Sequence, residues 1–219
     1  MRIVIAGGHG KIALLLERRL TVRGNDVLGL IRNPDHAADL AAQGAAASVL
    51  DLEHTDRDTL AAELTGADAV VFAAGAGPGS GAPRKDTVDR AAAVLLADAS
   101  RTAGVRRYLL VSSMGAGAEP APGTEEVFAA YLRAKTAAEE ALRESGLDWT
   151  ILRPGGLTDG DSTGAVQLAS SVPRGQIPRD DVAAVLVGLL DEPGTIGATL
   201  ELTSGTTPID EAIRAAAGR

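Results

Sequence analysis

The chain begins Met1-Arg2-Ile3-Val4-Ile5-Ala6-Gly7-Gly8-His9-Gly10-Lys11-Ile12-Ala13, and this stretch decides the fold. Ile3 to Ala6 has the length and β-branched content of a buried parallel strand. Three glycines fall within the next four residues, and Lys11 to Leu20 then reads as a helix. Glycine takes φ > 0 and has no Cβ, so its backbone can approach a pyrophosphate, and the unpaired N–H groups of a helix start face the anion. Strand, glycine turn and helix in that order are therefore read as a site for a dinucleotide's phosphates, formed by Gly7, Gly8, His9, Gly10, Lys11 and Ile12. The spacing satisfies both G-x-x-G-x-x-A and G-x-G-x-x-A, with Ala13 small enough to let helix and strand pack closely. A tight strand–helix turn without a ligand is the alternative, and the rest of the chain has to decide between them.

At 219 residues the chain suits one α/β domain with a sizeable core and is marginal for two. Apolar residues make up 45% and charged residues 23%, an ordinary globular balance. A net charge of −8 argues against nucleic acid or an anionic membrane as partner. With no cysteine, a disulfide framework, thiolate catalysis and Cys-ligated metal are all excluded. The first apolar run is too short for a signal peptide, and no stretch approaches the roughly 18 apolar residues of a membrane span. A soluble cytoplasmic protein is expected. His36 and His54 are too far apart in sequence to suggest a metal pair and His9 reads as pointing to solvent, so no metal is assigned. Oligomeric state is left open.

Strands and helices alternate, which implies a parallel sheet covered on both faces. Further strands are read at Val27–Ile31, Ala47–Leu50, Ala67–Phe72, Arg107–Val111, Trp149–Leu152 and Thr199–Thr203, with a short one at Val166–Leu168. Helices are read at His36–Gln43, Asp56–Leu64, Thr87–Ala103, Glu125–Glu144, Arg179–Leu190 and Ile209–Ala217. The glycine-rich run from Ala73 to Gly81 opens from a strand and marks no new domain.

The end of the second strand selects the nucleotide. An acidic residue there accepts from a ribose 2′-OH, whereas an arginine pairs with a 2′-phosphate. Arg32 occupies the position with Asn33 beside it. A guanidinium fork suits a phosphate dianion and gains nothing from a hydroxyl, so NADP(H) is expected over NAD(H). The alternative for Arg32 is a solvated strand-end cation. Asp51 and Leu52, at the exit of the third strand, are placed to bracket the adenine, with Asp51 equally plausible as the next helix's N-cap.

Chemistry is suggested by three residues. Ser113, with Ser112, ends the fifth strand on the edge where open α/β sheets bind ligands. Tyr131 and Lys135 lie four apart on one helix and so share a face. A phenol can pass a proton to a developing alkoxide, an ammonium nearby favours its ionisation, a serine hydroxyl orients the carbonyl, and a nicotinamide supplies hydride. The same residues also admit a purely structural reading, with Tyr131 half-buried, Lys135 paired to Glu139, and the serines capping a strand end.

Gly7-x-x-Gly10-x-x-Ala13, Arg32-Asn33, Val111-Ser112-Ser113, Tyr131-x-x-x-Lys135 and Arg153-Pro154-Gly155 together resemble the short-chain dehydrogenase/reductase superfamily. More narrowly they are similar to its atypical NAD(P)H-binding, NmrA-like and epimerase-like branch, along nearly the whole chain. The resemblance implies a Rossmann-type doubly wound parallel sheet of order 3-2-1-4-5-6-7. It implies one NAD(P)-binding domain over residues 1–219, with about 154–219 contributing a small C-terminal substrate lobe. Ser113 would polarise a substrate carbonyl, Tyr131 would be acid/base, and Lys135 would hold the nicotinamide ribose. Ala73, Ala74 and Gly75 would pass under the cofactor, and Arg153, Pro154 and Gly155 would flank its nicotinamide end. The family's usual asparagine in the long helix is replaced by an acid, Asp89 or else Asp86, which alters the charge near Lys135. The stretch between Gly156 and Arg179 is too short for a large sugar-nucleotide pocket.

An NADP(H)-dependent oxidoreductase for a small carbonyl or quinone-like substrate is therefore expected. The alternatives are a non-catalytic NADP(H) sensor of NmrA type and a flavin-reductase-like enzyme that needs no tyrosine.

Overall fold

The computed structural model describes residues 1–77 and 79–218. Strand β1 (Arg2–Ala6) passes through the glycine turn into α1 (Lys11–Val22), followed by β2 (Asp26–Ile31), α2 (Ala37–Ala42) and β3 (Ala46–Val49). After α3 (Arg57–Glu63) and β4 (Ala69–Phe72), a short helix α4 (Ala82–Arg84) opens into a π-helical stretch, Lys85–Ala92, that continues as α5 (Ala93–Ala103). Then come β5 (Arg107–Val111), α6 (Glu126–Glu144), β6 (Asp148–Pro154), β7 (Gly156–Thr158), β8 (Ala165–Ala169) and β9 (Gln176–Pro178). The chain ends with α7 (Arg179–Asp191), β10 (Thr199–Ser204), β11 (Thr207–Pro208) and α8 (Ile209–Ala216).

The main sheet runs β3-β2-β1-β4-β5-β6-β10-β8-β11. Its first seven strands are parallel, so the expected 3-2-1-4-5-6-7 order holds with β10 in seventh place. Beyond it the sheet continues with β8 antiparallel to β10, and β11 antiparallel to β8, an extension not foreseen in the sequence. The chain leaves β6 at the strand-end edge and reaches β8 without a helical crossover, so β8 has to run back down. A separate two-stranded parallel sheet, β7 with β9, stands beside that edge. Residues beyond 154 thus divide between this small sheet and the main one, since α7 packs on α1 against the sheet face.

The alternation of side chains in β1 builds both halves of the core. Ile3 and Ile5 join the cluster under α1 and α7, while Val4 and Ala6 join the one under α3, α5 and α6. The apolar run is thus a strand buried on both faces, and each of its large side chains contributes about 1.5–3 kcal/mol of burial. Local chemistry sets the helix ends. The Asp56 carboxylate accepts from Thr59 N–H at 2.8 Å to start α3. Glu125 accepts from the N–H groups of Val127 and Phe128 to start α6, and Gly104 stops α5 at φ +76°. The long helix begins earlier than Thr87, because Pro83 in the first turn of α4 is a helix-start residue rather than a breaker. These ends bring the C-terminal tips of β1, β4, β5 and β6 to one edge, where the strand order reverses between β1 and β4.

Candidate functional site

The glycine turn sits at that reversal. Gly7 has φ +83°, and a Cβ on it would stand 2.6 Å from Ala74 Cα, so only glycine fits between the two strand ends. Gly8 serves a different end from the one expected. Its N–H donates to Leu30 O at 3.0 Å, and a Cβ there would lie 2.8 Å from Gly29 Cα, so it fixes the turn to β2 and does not face the anion. The first intrahelical bond of α1 is Leu14 N–H to Gly10 O, Gly10 provides no side-chain cap, and the first turn carries no acidic residue. Among the described residues the N–H groups of Lys11, Ile12 and Ala13 thus have no partner, a donor set that would fit a pyrophosphate. The Lys11 side chain is exposed and pairs with Asp159 at 2.8 Å, which Arg179 also engages, so its ammonium is committed across the mouth.

On one side of the turn lies a cavity of about 290 Å³ lined by Gly7, His9, Gly10, Arg32, Asn33, Asp51 and Leu52. Arg32 is joined there by Arg84, which sequence reasoning missed. Glu53 bridges the two, at 3.2 Å from Arg32 and 2.7 Å from Arg84, and accepts from Thr87 Oγ1 at 2.6 Å. The bonds from Arg84 and Thr87 hold the Glu53 carboxyl below the usual glutamate range. Asp51 is also held low. Burial works against its charge, but the Glu53 N–H and His54 outweigh it. Asp51 is no N-cap, since Asp56 starts the helix. The His9 ring, expected in solvent, stacks on His36 with centroids 3.5 Å apart and meets Asp39 at 2.8 Å.

On the other side a cavity of about 460 Å³ is lined by Ser113, Tyr131, Lys135, Asp89, Pro154 and Gly155, with Ile12 beside them. Ala73, Ala74, Gly75 and Ala76 line both cavities, so the exit of β4 is the floor of one continuous groove. Lys135 Nζ donates to Val111 O at 3.0 Å and pairs with Asp89 Oδ1 at 3.3 Å. Asp89 Oδ2 accepts from Ala76 N–H at 3.2 Å, so the acid joins the groove floor to the lysine. The choice between acids is settled by position, because Asp86 pairs with Arg90 at the surface.

Lys135 does not pair with Glu139. That carboxylate, one turn further along α6, accepts from Ser112 Oγ at 2.6 Å and is clasped by Arg153 and Arg143. Burial opposes its charge, yet Arg153, Ser112 and Arg143 together hold it below the usual range. Two expectations change in consequence. Ser112 is turned into the protein, and Ser113, whose Oγ donates to Met114 O at 3.3 Å, is the more exposed serine of the pair in the cavity lining. Arg153 faces Glu139, while Pro154 and Gly155 alone of that triplet flank the cavity. Sequence reasoning also missed Lys85, which lines the cavity with its ammonium 5.5 Å from the Tyr131 ring centroid, and Phe128, whose ring stacks on Tyr131 at 5.9 Å.

A family model described as NAD(P)H-binding matches residues 7–193. The chain belongs to this family, on the atypical branch of the short-chain dehydrogenases/reductases. YhfK of Bacillus subtilis, named an uncharacterized sugar epimerase, is 34% identical over 215 residues, covering 98% of this chain and 99% of that one. A solved structure from Bacillus halodurans, named for an NAD-dependent epimerase/dehydratase, superposes with a TM-score of 0.90 at 34% identity and covers 98% and 99% of the two chains. ChuY of Escherichia coli O157:H7, an anaerobillin reductase, superposes with a TM-score of 0.80 at 28% identity over 93% of this chain and 97% of that one. The family fits the groove: a nicotinamide dinucleotide would lie along the shared floor with its phosphates at the open start of α1. Among the described residues no helix is long and apolar enough to cross a membrane.

Proposed function

We propose that the protein is an NADP(H)-dependent oxidoreductase that reduces a small carbonyl or quinone-like substrate. The observation that carries this reading is the shared floor. Ala73 to Ala76 run from the arginine-lined cavity into the one that holds Ser113, Tyr131 and Lys135. Arg32, with Arg84, would hold the adenosine 2′-phosphate, Asp51 and Leu52 the adenine, and the start of α1 the pyrophosphate. When bound there, the nicotinamide would supply the hydride that the carbonyl carbon takes up. Ser113 Oγ donates to the carbonyl oxygen, and Tyr131 gives that oxygen its phenolic proton and is reprotonated from solvent. Lys135, held by Asp89 and Val111 O, places a fixed cation beside both the ribose site and the tyrosine. Asp89 is the residue that positions it.

Tyr131→Phe tests the reading. Reduction of a carbonyl panel by NADPH should fall about 100-fold or more, in line with loss of a general acid, while NADPH binding persists. A second reading, hydride delivery to a flat conjugated ring system without a proton from tyrosine, is favoured by the exposed Phe128 ring stacked on Tyr131 at the cavity mouth. Activity that survives Tyr131→Phe would select it. Binding of NADPH without turnover of any carbonyl, quinone or flavin would leave the sensor.

A further inference from the structure

Arg84 and Lys85 are neighbours in sequence and serve opposite halves of the groove. Arg84 lines the adenosine side and is neutralised by Glu53. Lys85 lines the substrate side, is only 8% exposed, and donates to Gly77 O at 2.9 Å. Among the described residues it has no carboxylate partner. The acids nearby are committed elsewhere: Asp89 to Lys135, Asp86 to Arg90, and Glu125 to the first N–H groups of α6. The cavity lining therefore carries two ammonium groups, the interior carboxylate of Asp89, and the exposed carboxylate of Glu125, which is turned to backbone N–H groups rather than to Lys85. A nearly buried ammonium satisfied only by a neutral carbonyl keeps most of its desolvation cost, and an anion brought to it recovers much of that cost. The dinucleotide's phosphates are already provided for at α1 and Arg32, so the unmatched charge points to the other ligand.

We infer that Lys85 is an anion-recognition site for the substrate, and that the cavity takes carbonyl compounds carrying a carboxylate. The inference rests on the oxidoreductase reading and narrows its substrate class. Lys85 and Lys135 both stand near the Tyr131 ring, at 5.5 and 5.8 Å from its centroid. A substrate whose carbonyl meets Tyr131 thus has the free ammonium within reach of a second, charged end. Phe128 and Leu157, both partly exposed at the mouth, offer apolar surface to the body of such a molecule.

The test compares terephthalaldehydic acid with its methyl ester in NADPH-dependent reduction. The wild-type protein should favour the acid in kcat/KM by about tenfold or more, the value of a charge-assisted hydrogen bond. Lys85→Met should bring that ratio close to one, and Lys85→Arg, which keeps the charge, should retain most of it. Calorimetric titration of the acid and the ester into NADP⁺-loaded protein reads the same contrast as a dissociation constant, without turnover. If neither aldehyde is reduced, the carbonyl-reductase reading fails, while the binding contrast still decides whether Lys85 selects the carboxylate. Equal wild-type binding of acid and ester, or an unchanged ratio in folded Lys85→Met, overturns the inference. So does a loss of NADP⁺ affinity in Lys85→Met as large as the loss for the acid, since the lysine would then belong to the cofactor.

Discussion

Lys135 Nζ lies 3.3 Å from Asp89 Oδ1, with side chains 4% and 0% exposed, and this buried pair joins the long helix after β4 to α6 across the groove floor. Removing the acid leaves the ammonium buried and unmatched, which costs about 3–5 kcal/mol. Asp89→Ala should lower stability by that order in urea denaturation. Asp89→Asn keeps an acceptor for Ala76 N–H and should lose less. Equal stability of wild type and Asp89→Ala would show that Lys135 finds another partner.

Glu53 occupies both Arg32 and Arg84 in the cavity they line. Arg32→Ala should weaken NADPH about tenfold or more, in proportion to a charge-assisted contact with phosphate, and leave NADH nearly unaltered. Glu53→Gln should act in the opposite direction and tighten NADPH, because the guanidinium groups lose a competing carboxylate. Fluorescence titration of the two cofactors checks both, and equal losses for NADPH and NADH in Arg32→Ala would remove the 2′-phosphate assignment.

Glu139 holds Ser112, Arg153 and Arg143 together behind the cavity, and these partners hold its carboxyl below the ordinary glutamate value of 4.5. A depressed acid stabilises the fold fully above its unfolded value, and the contribution disappears as pH falls through the folded value. Wild-type protein should therefore lose stability below about pH 4.5 more steeply than Glu139→Gln. At neutral pH the variant should be the weaker protein, as urea midpoints across the acid range would show.

Glu17 behaves in the opposite sense. Its carboxyl is 0% exposed on α1, has no hydrogen-bond partner among the described residues, and is pushed up to about 8 by burial. Between 4.5 and 8 the unfolded chain releases this proton while the native one keeps it, so stability falls with rising pH. The shift is worth roughly 3 kcal/mol by pH 7. Glu17→Gln should flatten that slope in urea titrations from pH 5 to 8, and parallel slopes would refute the assignment.

The order of elements was legible because its signals are local. Ile3 to Ala6 is too short and too β-branched for a helix, glycines and prolines punctuate the chain, and Tyr131 and Lys135 share a face by helical spacing alone. The tight turn between β1 and α1 could likewise be read from Gly7, Gly10 and Ala13. Gly8 was misassigned because its neighbour across the turn, Gly29, is set by strand pairing. The antiparallel continuation through β8 and β11 was missed because the sequence shows no missing crossover until the strands are paired.

By itself, the sequence determined a doubly wound sheet, the glycine turn between β1 and α1, and the helical spacing that puts Tyr131 and Lys135 on one face. Those properties follow from steric freedom, hydrophobic period and side-chain chemistry within a few residues. The tertiary structure decided which partners those residues meet. It drew Asp89 to Lys135, Glu139 to Ser112 and Arg153, and Glu53 to Arg32 and Arg84, and among the described residues it left Lys85 with a backbone carbonyl rather than a carboxylate as its partner. Each of those outcomes depends on charges brought together from distant segments by the packing of helices on the sheet, where burial makes pairing obligatory and sequence distance is irrelevant.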